Sequence, residues 1–144
     1  MIKLASIEQA TVTAQLALQL WPDNDLQEFI QNMEEAIENP NSAIFLGFSE
    51  EEVIGFAQCQ LRYDYVEGTD SSPVGYLEGL YVVEHYREQG FAKGLVQACE
   101  QWSKDKGCTE FASDCELSNT ASLHVHLKLG FTEANRIICF TKKL

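Results

Sequence analysis

Between Val74 and Asp114 an apolar run, a glycine turn, an amphipathic helix and a second short apolar run follow one another, and that succession restricts the chain more than any other feature. Val74–Val83 reads as a buried strand broken by Glu78-Gly79; glycine inside a strand marks a bulge or the close approach of another group. Phe91, Leu95, Val96, Cys99 and Trp102 share one face of a helix over 91–106, which Gly107 ends. Glu110–Asp114 reads as the next strand. Two strands joined through a helix lie parallel, and such connections are right-handed in nearly all proteins, so a β-α-β crossover is expected mid-chain.

The flanking segments fill in around it. Residues 7–20 read as a helix stopped at Trp21-Pro22, because proline disfavours helical geometry in the residue before it. In 25–38, Leu26, Phe29, Ile30, Met33 and Ile37 fall at helical spacing with acids on the other face. Ala43–Phe48 and Val53–Arg62 read as a hairpin, followed by a polar loop, Asp64–Pro73. Ser118 is placed to cap a helix over 119–129 closed by Gly130. That helix has a rival reading, since Ala121, Leu123, Val125, Leu127 and Leu129 alternate with the period of a strand. Phe131–Phe140 reads as a last strand. No repeat or Pro/Gly/Ser linker interrupts the chain, so residues 1–144 are expected to form one α/β (α+β) domain.

Charge narrows the function classes. The 144 residues carry 10 Lys+Arg against 22 Asp+Glu, a net charge of −12. Such a surface lacks the basic footprint of a nucleic-acid binder and repels anionic membrane. It attracts cations, which points to a cationic substrate or partner, the plainer alternative being solubility alone. Neither a signal peptide nor a membrane span is expected, and a cytoplasmic location follows. The cysteines, Cys59, Cys99, Cys108, Cys115 and Cys139, are odd in number and show no CxxC spacing. Buried reduced thiols are expected, with neither disulfides nor a metal site.

The chemistry is carried by Arg87-Glu88-Gln89-Gly90-Phe91-Ala92-Lys93-Gly94, which leaves a strand and opens a helix. Free N–H groups at a helix start favour an anion, and Gly90 and Ala92 let it approach the backbone. Neither GxxxxGK[ST] nor GxGxxG is present, so the stretch is not an NTPase loop or a dinucleotide fingerprint. R-x-x-G-x-A after Leu80-Tyr81-Val82-Val83, with Asn119-Thr120-Ala121-Ser122 and Leu129-Gly130-Phe131 downstream, resembles the GNAT N-acetyltransferase superfamily. The resemblance implies a mixed central sheet with splayed parallel strands and flanking helices, and acetyl-CoA as co-substrate. It implies that Arg87, Gln89, Gly90, Phe91, Ala92 and Lys93 hold the pyrophosphate, that the pantetheine arm runs along Leu80, Tyr81 and Val82, and that Asn119 supports it. Where most members carry a tyrosine that protonates the leaving thiolate, this chain has His126. The imidazole is either that donor or a packed helix residue, with water serving instead.

Gln19-Leu20-Trp21-Pro22, Arg62–Gly68, Asp70-Ser71-Ser72-Pro73 with Leu77-Glu78-Gly79, and Ala112-Ser113-Asp114 are similar to the small aminoglycoside 6'-N-acetyltransferases. That likeness implies Trp21 and Tyr65 beside the sugar rings, and Glu78 and Asp114 on the substrate's ammonium groups. Polycationic, hydroxyl-rich substrates suit carboxylates and aromatic faces. It further implies a homodimer in which Asn135 or Glu133 borders the neighbour's substrate. Direct attack in a ternary complex is expected, with Glu78 the best base, directly or through water, because no nucleophile arrangement is recognisable. A GNAT enzyme for another cationic amine, such as a polyamine or a protein lysine, and a non-catalytic CoA-binding domain are the competing readings.

Overall fold

The computed structural model describes all residues from Met1 to Leu144. Its elements run β1 (Ile2–Leu4), α1 (Ala10–Leu20, entered through a 3-10 turn at Ile7–Gln9), α2 (Leu26–Glu38), β2 (Ser42–Ser49), β3 (Glu52–Arg62), β4 (Val74–Val82), α3 (Phe91–Asp105), β5 (Phe111–Ala112) and α4 (Thr120–Lys128). The strands form one sheet in the order β1-β2-β3-β4-β5. β1 to β4 pair antiparallel, and β4 and β5 are the parallel pair that the crossover through α3 demands.

Helices cover both faces, as strand alternation dictates. Ile44, Leu46 and Phe56 bury against Ala10, Ala14 and Ala17 of α1 and Phe29 and Met33 of α2. Ala43, Ala57, Cys59 and Leu77 bury against Leu95, Val96 and Cys99 of α3. Each large side chain buried this way contributes about 1.5–3 kcal/mol. The alanines of α1 let its backbone lie close to the sheet. Gly75 does the same for α3, since a Cβ there would stand 2.2 Å from Ser103 Oγ. α2 starts at Asp25, whose carboxylate accepts from Glu28 N–H at 3.0 Å, a cap worth about 1 kcal/mol.

Several expectations need correction. The stretch after residue 119 is the expected helix in spite of its strand-like alternation, but its cap is Asn119 rather than Ser118: the Asn119 side chain accepts from Ser122 N–H at 3.1 Å. β5 keeps two residues instead of five, so the parallel strands part early. β1 carried too few residues to show a period, yet it pairs with β2. Phe131–Phe140 forms no strand. A strand exists only where a neighbour completes its ladder, and this segment has none within the chain. Of the cysteines, Cys59, Cys99 and Cys108 are buried, but Cys115 and Cys139 are exposed because they lie in the irregular segments on either side of α4; all five are free thiols. Burial and a contact from Cys59 push the Cys99 thiol far up, with the Cys59 contact the larger cause.

Candidate active site

The pairing of β3 with β4 sets the first candidate group. Gln58 faces Gly79 and Cys59 faces Leu77, so Glu78 is an extra residue without a partner in the ladder. A bulge re-aims its side chain, and here it turns a carboxylate toward the end of β3. Glu78 Oε1 accepts from Gln60 Nε2 at 2.7 Å, from Arg62 Nε at 3.1 Å and from Arg62 Nη2 at 2.8 Å. Oε2 makes no hydrogen bond within the chain and is the acceptor left for a ligand. The guanidinium of Arg62 also lies 3.4 Å from the centre of the Tyr76 ring. The motifs include Arg62 without assigning it a partner and leave Gln60 out, because the contacts of both with Glu78 depend on register across the strands.

Asp114 joins the same group of residues through Tyr76, whose hydroxyl donates to Asp114 Oδ2. Burial, reinforced by that hydrogen bond and the neighbouring carboxylate charge, raises the Tyr76 pKa well above its ordinary value, which keeps the phenol a donor. Glu78, Arg62, Tyr76 and Asp114 thus form one chain of contacts carrying two acids and one base. The surplus negative charge lies just past the last pair of β4 with β5, Tyr76 with Ala112.

Trp21 meets this cluster from α1. Its ring packs edge-on against Phe29 and Phe56, with centroids 6.0 and 6.4 Å away. Its far edge lies over Gly79, next to Glu78. Core packing and placement beside the carboxylate are therefore both true of Trp21. Tyr65 is 76% exposed and borders an open hollow together with Gln60 and Arg62. Its loop is tied to the base of β5: Asp70 N–H and Ser71 Oγ both donate to Glu110 Oε1, holding that carboxyl below the usual range, with the Ser71 bond the larger cause. Asn135 Nδ2 donates to Glu67 Oε1 at 2.7 Å, so the C-terminal segment lies on the loop that carries Tyr65.

The edge of β4 beyond β5 presents backbone groups. Val83 N–H donates to Ile54 O, and Arg87 Nε donates to Val82 O at 2.8 Å on the opposite side. By alternation along the strand, the N–H groups of Leu80 and Val82 point to the open edge, and that of Tyr81 points into the β3 ladder. Arg87 also reaches over the Tyr81 ring, at 5.6 Å. At the start of α3, Gly90 takes φ +89°, and a Cβ there would meet nothing within 4 Å. The glycine is required by conformation, and the space before it is open. No side chain caps α3, which leaves the N–H groups of Phe91, Ala92 and Lys93 outward-facing. Gln89 Nε2 donates to His85 O and braces the turn.

Across the gap, His126 on α4 has both ring nitrogens engaged. Nε2 lies 2.7 Å from Ser113 Oγ, and Nδ1 lies 2.7 Å from the Ser122 carbonyl and 3.3 Å from Ser122 Oγ. Ser122 and His126 share one stripe of α4, as a spacing of four on a helix requires, but nothing local points to Ser113. Ser113 and His126 are thirteen positions apart, and no local spacing links them.

An open mixed sheet that parts at its parallel pair, beside an uncapped helix start, is the arrangement of an N-acetyltransferase fold. The model described as the acetyltransferase (GNAT) family matches residues 8–131, and the chain belongs to that family. It is similar to an aminoglycoside N(6')-acetyltransferase type 1 of Salmonella typhimurium, at 41% identity over 89% of this chain and 88% of that protein. It is likewise similar to a type 1 enzyme of Stenotrophomonas maltophilia, at 40% identity over 99% and 93%. Among solved structures, AAC(6')-Iy in complex with the bisubstrate analogue CoA-S-monomethyl-acetylneamine matches with a TM-score of 0.95 and 38% identity, covering 100% of this chain and 98% of that one.

Proposed function

We propose that this chain transfers the acetyl group of acetyl-CoA to the 6'-amino group of aminoglycoside antibiotics, by direct attack in a ternary complex, and so confers resistance to them. The observation that carries the reading is the bulged Glu78, with one carboxylate oxygen braced by Arg62 and Gln60 and the other left free at the parting of β4 and β5. Glu78 and Asp114 hold the ammonium groups of the substrate, with Trp21 and Tyr65 against its rings. Glu78 takes the proton that the attacking amine must lose, directly or through a water. The N–H groups of Leu80 and Val82 are the donors able to meet the thioester oxygen as charge develops on it. The start of α3, from Arg87 through Lys93, cradles the pyrophosphate, and Asn119 supports the pantetheine arm. The names of the curated relatives support the substrate class.

The test is thiol release from acetyl-CoA with kanamycin, spermidine and a lysine peptide offered separately. Kanamycin should be the productive acceptor, and NMR of the product should place the new amide on the 6' nitrogen. Turnover with spermidine or the peptide alone would move the chain to another amine, and acetylation at a different ring nitrogen would remove the regiochemistry.

The same reading has the chain acting as one catalytic domain over residues 1–144, in the cytoplasm, as a homodimer. No helix is long and apolar enough to cross a membrane. A second copy is the natural partner for the C-terminal segment, whose Ile137, Ile138 and Phe140 are 66%, 80% and 87% exposed. Its apolar pattern is that of a strand, and the outer edge of β5 has no neighbour in the sheet. Pairing with a partner copy would also bring Asn135 and Glu133 toward the partner's substrate loop. Light scattering should give twice the chain mass, and Ile138→Asp with Phe140→Asp should halve it; a monomer before substitution would sink the assembly.

A further inference from the structure

Ser113 follows the last residue of β5. From the register Gly75 with Phe111 and Tyr76 with Ala112, it comes abreast of Leu77, one place before the bulged Glu78. This is where the two parallel strands part. Behind it, His126 Nδ1 lies on the Ser122 carbonyl. A carbonyl only accepts, so Nδ1 carries a hydrogen in either charge state of the ring. The 2.7 Å contact between Nε2 and Ser113 Oγ then has two forms. With a neutral ring, Ser113 donates its hydrogen to Nε2. With an imidazolium, Nε2–H donates to Ser113 Oγ, and the hydroxyl hydrogen is free to turn into the gap.

We propose that Ser113 delivers the proton taken up by the departing coenzyme A thiolate, and that His126 is the positioning residue that restores it. The inference rests on the reading that acetyl transfer occurs along the open edge of β4. When the tetrahedral adduct collapses, the carbon–sulfur bond breaks and its electron pair leaves on sulfur. The thiolate takes the hydroxyl hydrogen of Ser113, and Ser113 Oγ takes the Nε2 hydrogen of the imidazolium. His126 is left neutral, with Nδ1–H still on the Ser122 carbonyl. The substrate ammonium sheds two protons on becoming an amide. One goes to solvent, and the other restores the charge of His126 through solvent, so each turnover releases one proton net.

A serine beside a histidine also suggests a nucleophile. The ring, however, meets Ser113, Ser122 and the edge of Phe131, whose centroid is 5.2 Å away, and no carboxylate or other charged side chain hydrogen-bonds to it. In hydrolase triads a carboxylate on the far ring nitrogen sets the histidine as the base that activates the serine, and here that nitrogen meets Ser122 instead. The pair is built to pass a proton outward.

Ser113→Ala should lower kcat about 10²-fold or more, the scale of general acid catalysis, while KM for acetyl-CoA and for the aminoglycoside stays within about twofold. Ser113→Thr, which keeps a hydroxyl, should recover most of the rate. Nitrogen NMR of the free protein gives a readout apart from turnover: His126 should show a protonated Nδ1, and the Nε2 signal should move in Ser113→Ala. A folded Ser113→Ala with unchanged kcat, or an Nε2 signal indifferent to the substitution, overturns the relay. So does an acetyl group found on Ser113 by mass spectrometry after mixing with acetyl-CoA alone, since the hydroxyl would then be the nucleophile. Failure of the underlying reading looks different: the unaltered protein would release no thiol with any aminoglycoside, and the relay would fall with it.

Discussion

The indole of Trp21 lies directly on the backbone of Gly79: a Cβ built on that glycine would stand 2.5 Å from the indole Cη2 atom and 3.2 Å from Cζ2. The contact joins the end of α1 to the bulge in β4, two elements far apart in sequence. It explains why the residue after Glu78 has no side chain. Any Cβ there would drive the ring back into Phe29 and Phe56, against which it is already packed.

Gly79→Ala should therefore displace Trp21 and disturb the bulge that aims Glu78. Overpacking of this kind costs about 1–3 kcal/mol, so the protein should fold with a lowered Tm. The aminoglycoside KM should rise while acetyl-CoA affinity is kept. An unchanged KM for the aminoglycoside would show that Trp21 acts as core packing alone.

How much of this was legible in the sequence depends on how local each signal is. α2 could be read from Leu26, Phe29, Ile30, Met33 and Ile37, because helical periodicity needs no partner. The glycine turn into α3 could be read from Gly90 and the apolar face of the helix behind it for the same reason. Gly79 announced a bulge, but that Glu78 is its extra residue follows from the register Gln58 with Gly79 and Cys59 with Leu77, which only pairing reveals. Arg62 reaches Glu78 and Tyr76 reaches Asp114 across the sheet, sixteen and thirty-eight residues apart. Phe131–Phe140 shows the opposite failure: its pattern is that of a strand, and the strand is missing because no segment of the same chain pairs with it.

The two acids should separate in kinetics. Glu78→Gln removes the charge at nearly constant shape and should lower kcat on the order of 10²-fold, the usual scale for a general base. Asp114→Asn should mainly raise the aminoglycoside KM, because binding lost equally from ground and transition states leaves kcat alone. Steady-state kinetics on both variants decides between the roles. A Glu78→Gln enzyme with near-normal kcat and a raised KM would make Glu78 an anchor and leave Asp114, or a water chain, as the route for the proton.

Tyr76 gives a prediction about alkali. Its pKa is raised from an ordinary 10.0, chiefly by burial, so the folded protein holds this proton more tightly than the unfolded chain does. The stabilisation is fully present below about pH 10 and is lost as pH climbs through the folded value. Denaturant titrations should show stability falling above pH 10, and Tyr76→Phe should flatten that fall. In a spectrophotometric titration of the folded protein, one phenol of the five tyrosines should stay protonated where ordinary ones ionise. Identical alkaline profiles for the two proteins would count against the Tyr76–Asp114 bond. Tyr76→Phe should also raise the aminoglycoside KM, since Asp114 loses the donor that orients it.

Gly90 allows conformation and space to be told apart. Its φ of +89° strains any residue with a Cβ, while the position itself is open. Left-handed geometry costs an ordinary L-residue about 1–2 kcal/mol and is worst for β-branched side chains, whereas asparagine tolerates it best after glycine. Gly90→Val should keep the fold, because Gly90 lies outside the packed core, but should distort the start of α3 and weaken acetyl-CoA binding measured by calorimetry. Gly90→Asn should hold the turn and retain more affinity than Gly90→Val, with the remaining loss set by how closely the pyrophosphate approaches the backbone. Equal losses in both variants would mean that the missing side chain, rather than the turn, is what the anion needs. Full affinity in a folded Gly90→Val protein would remove the cradle from this part of the chain.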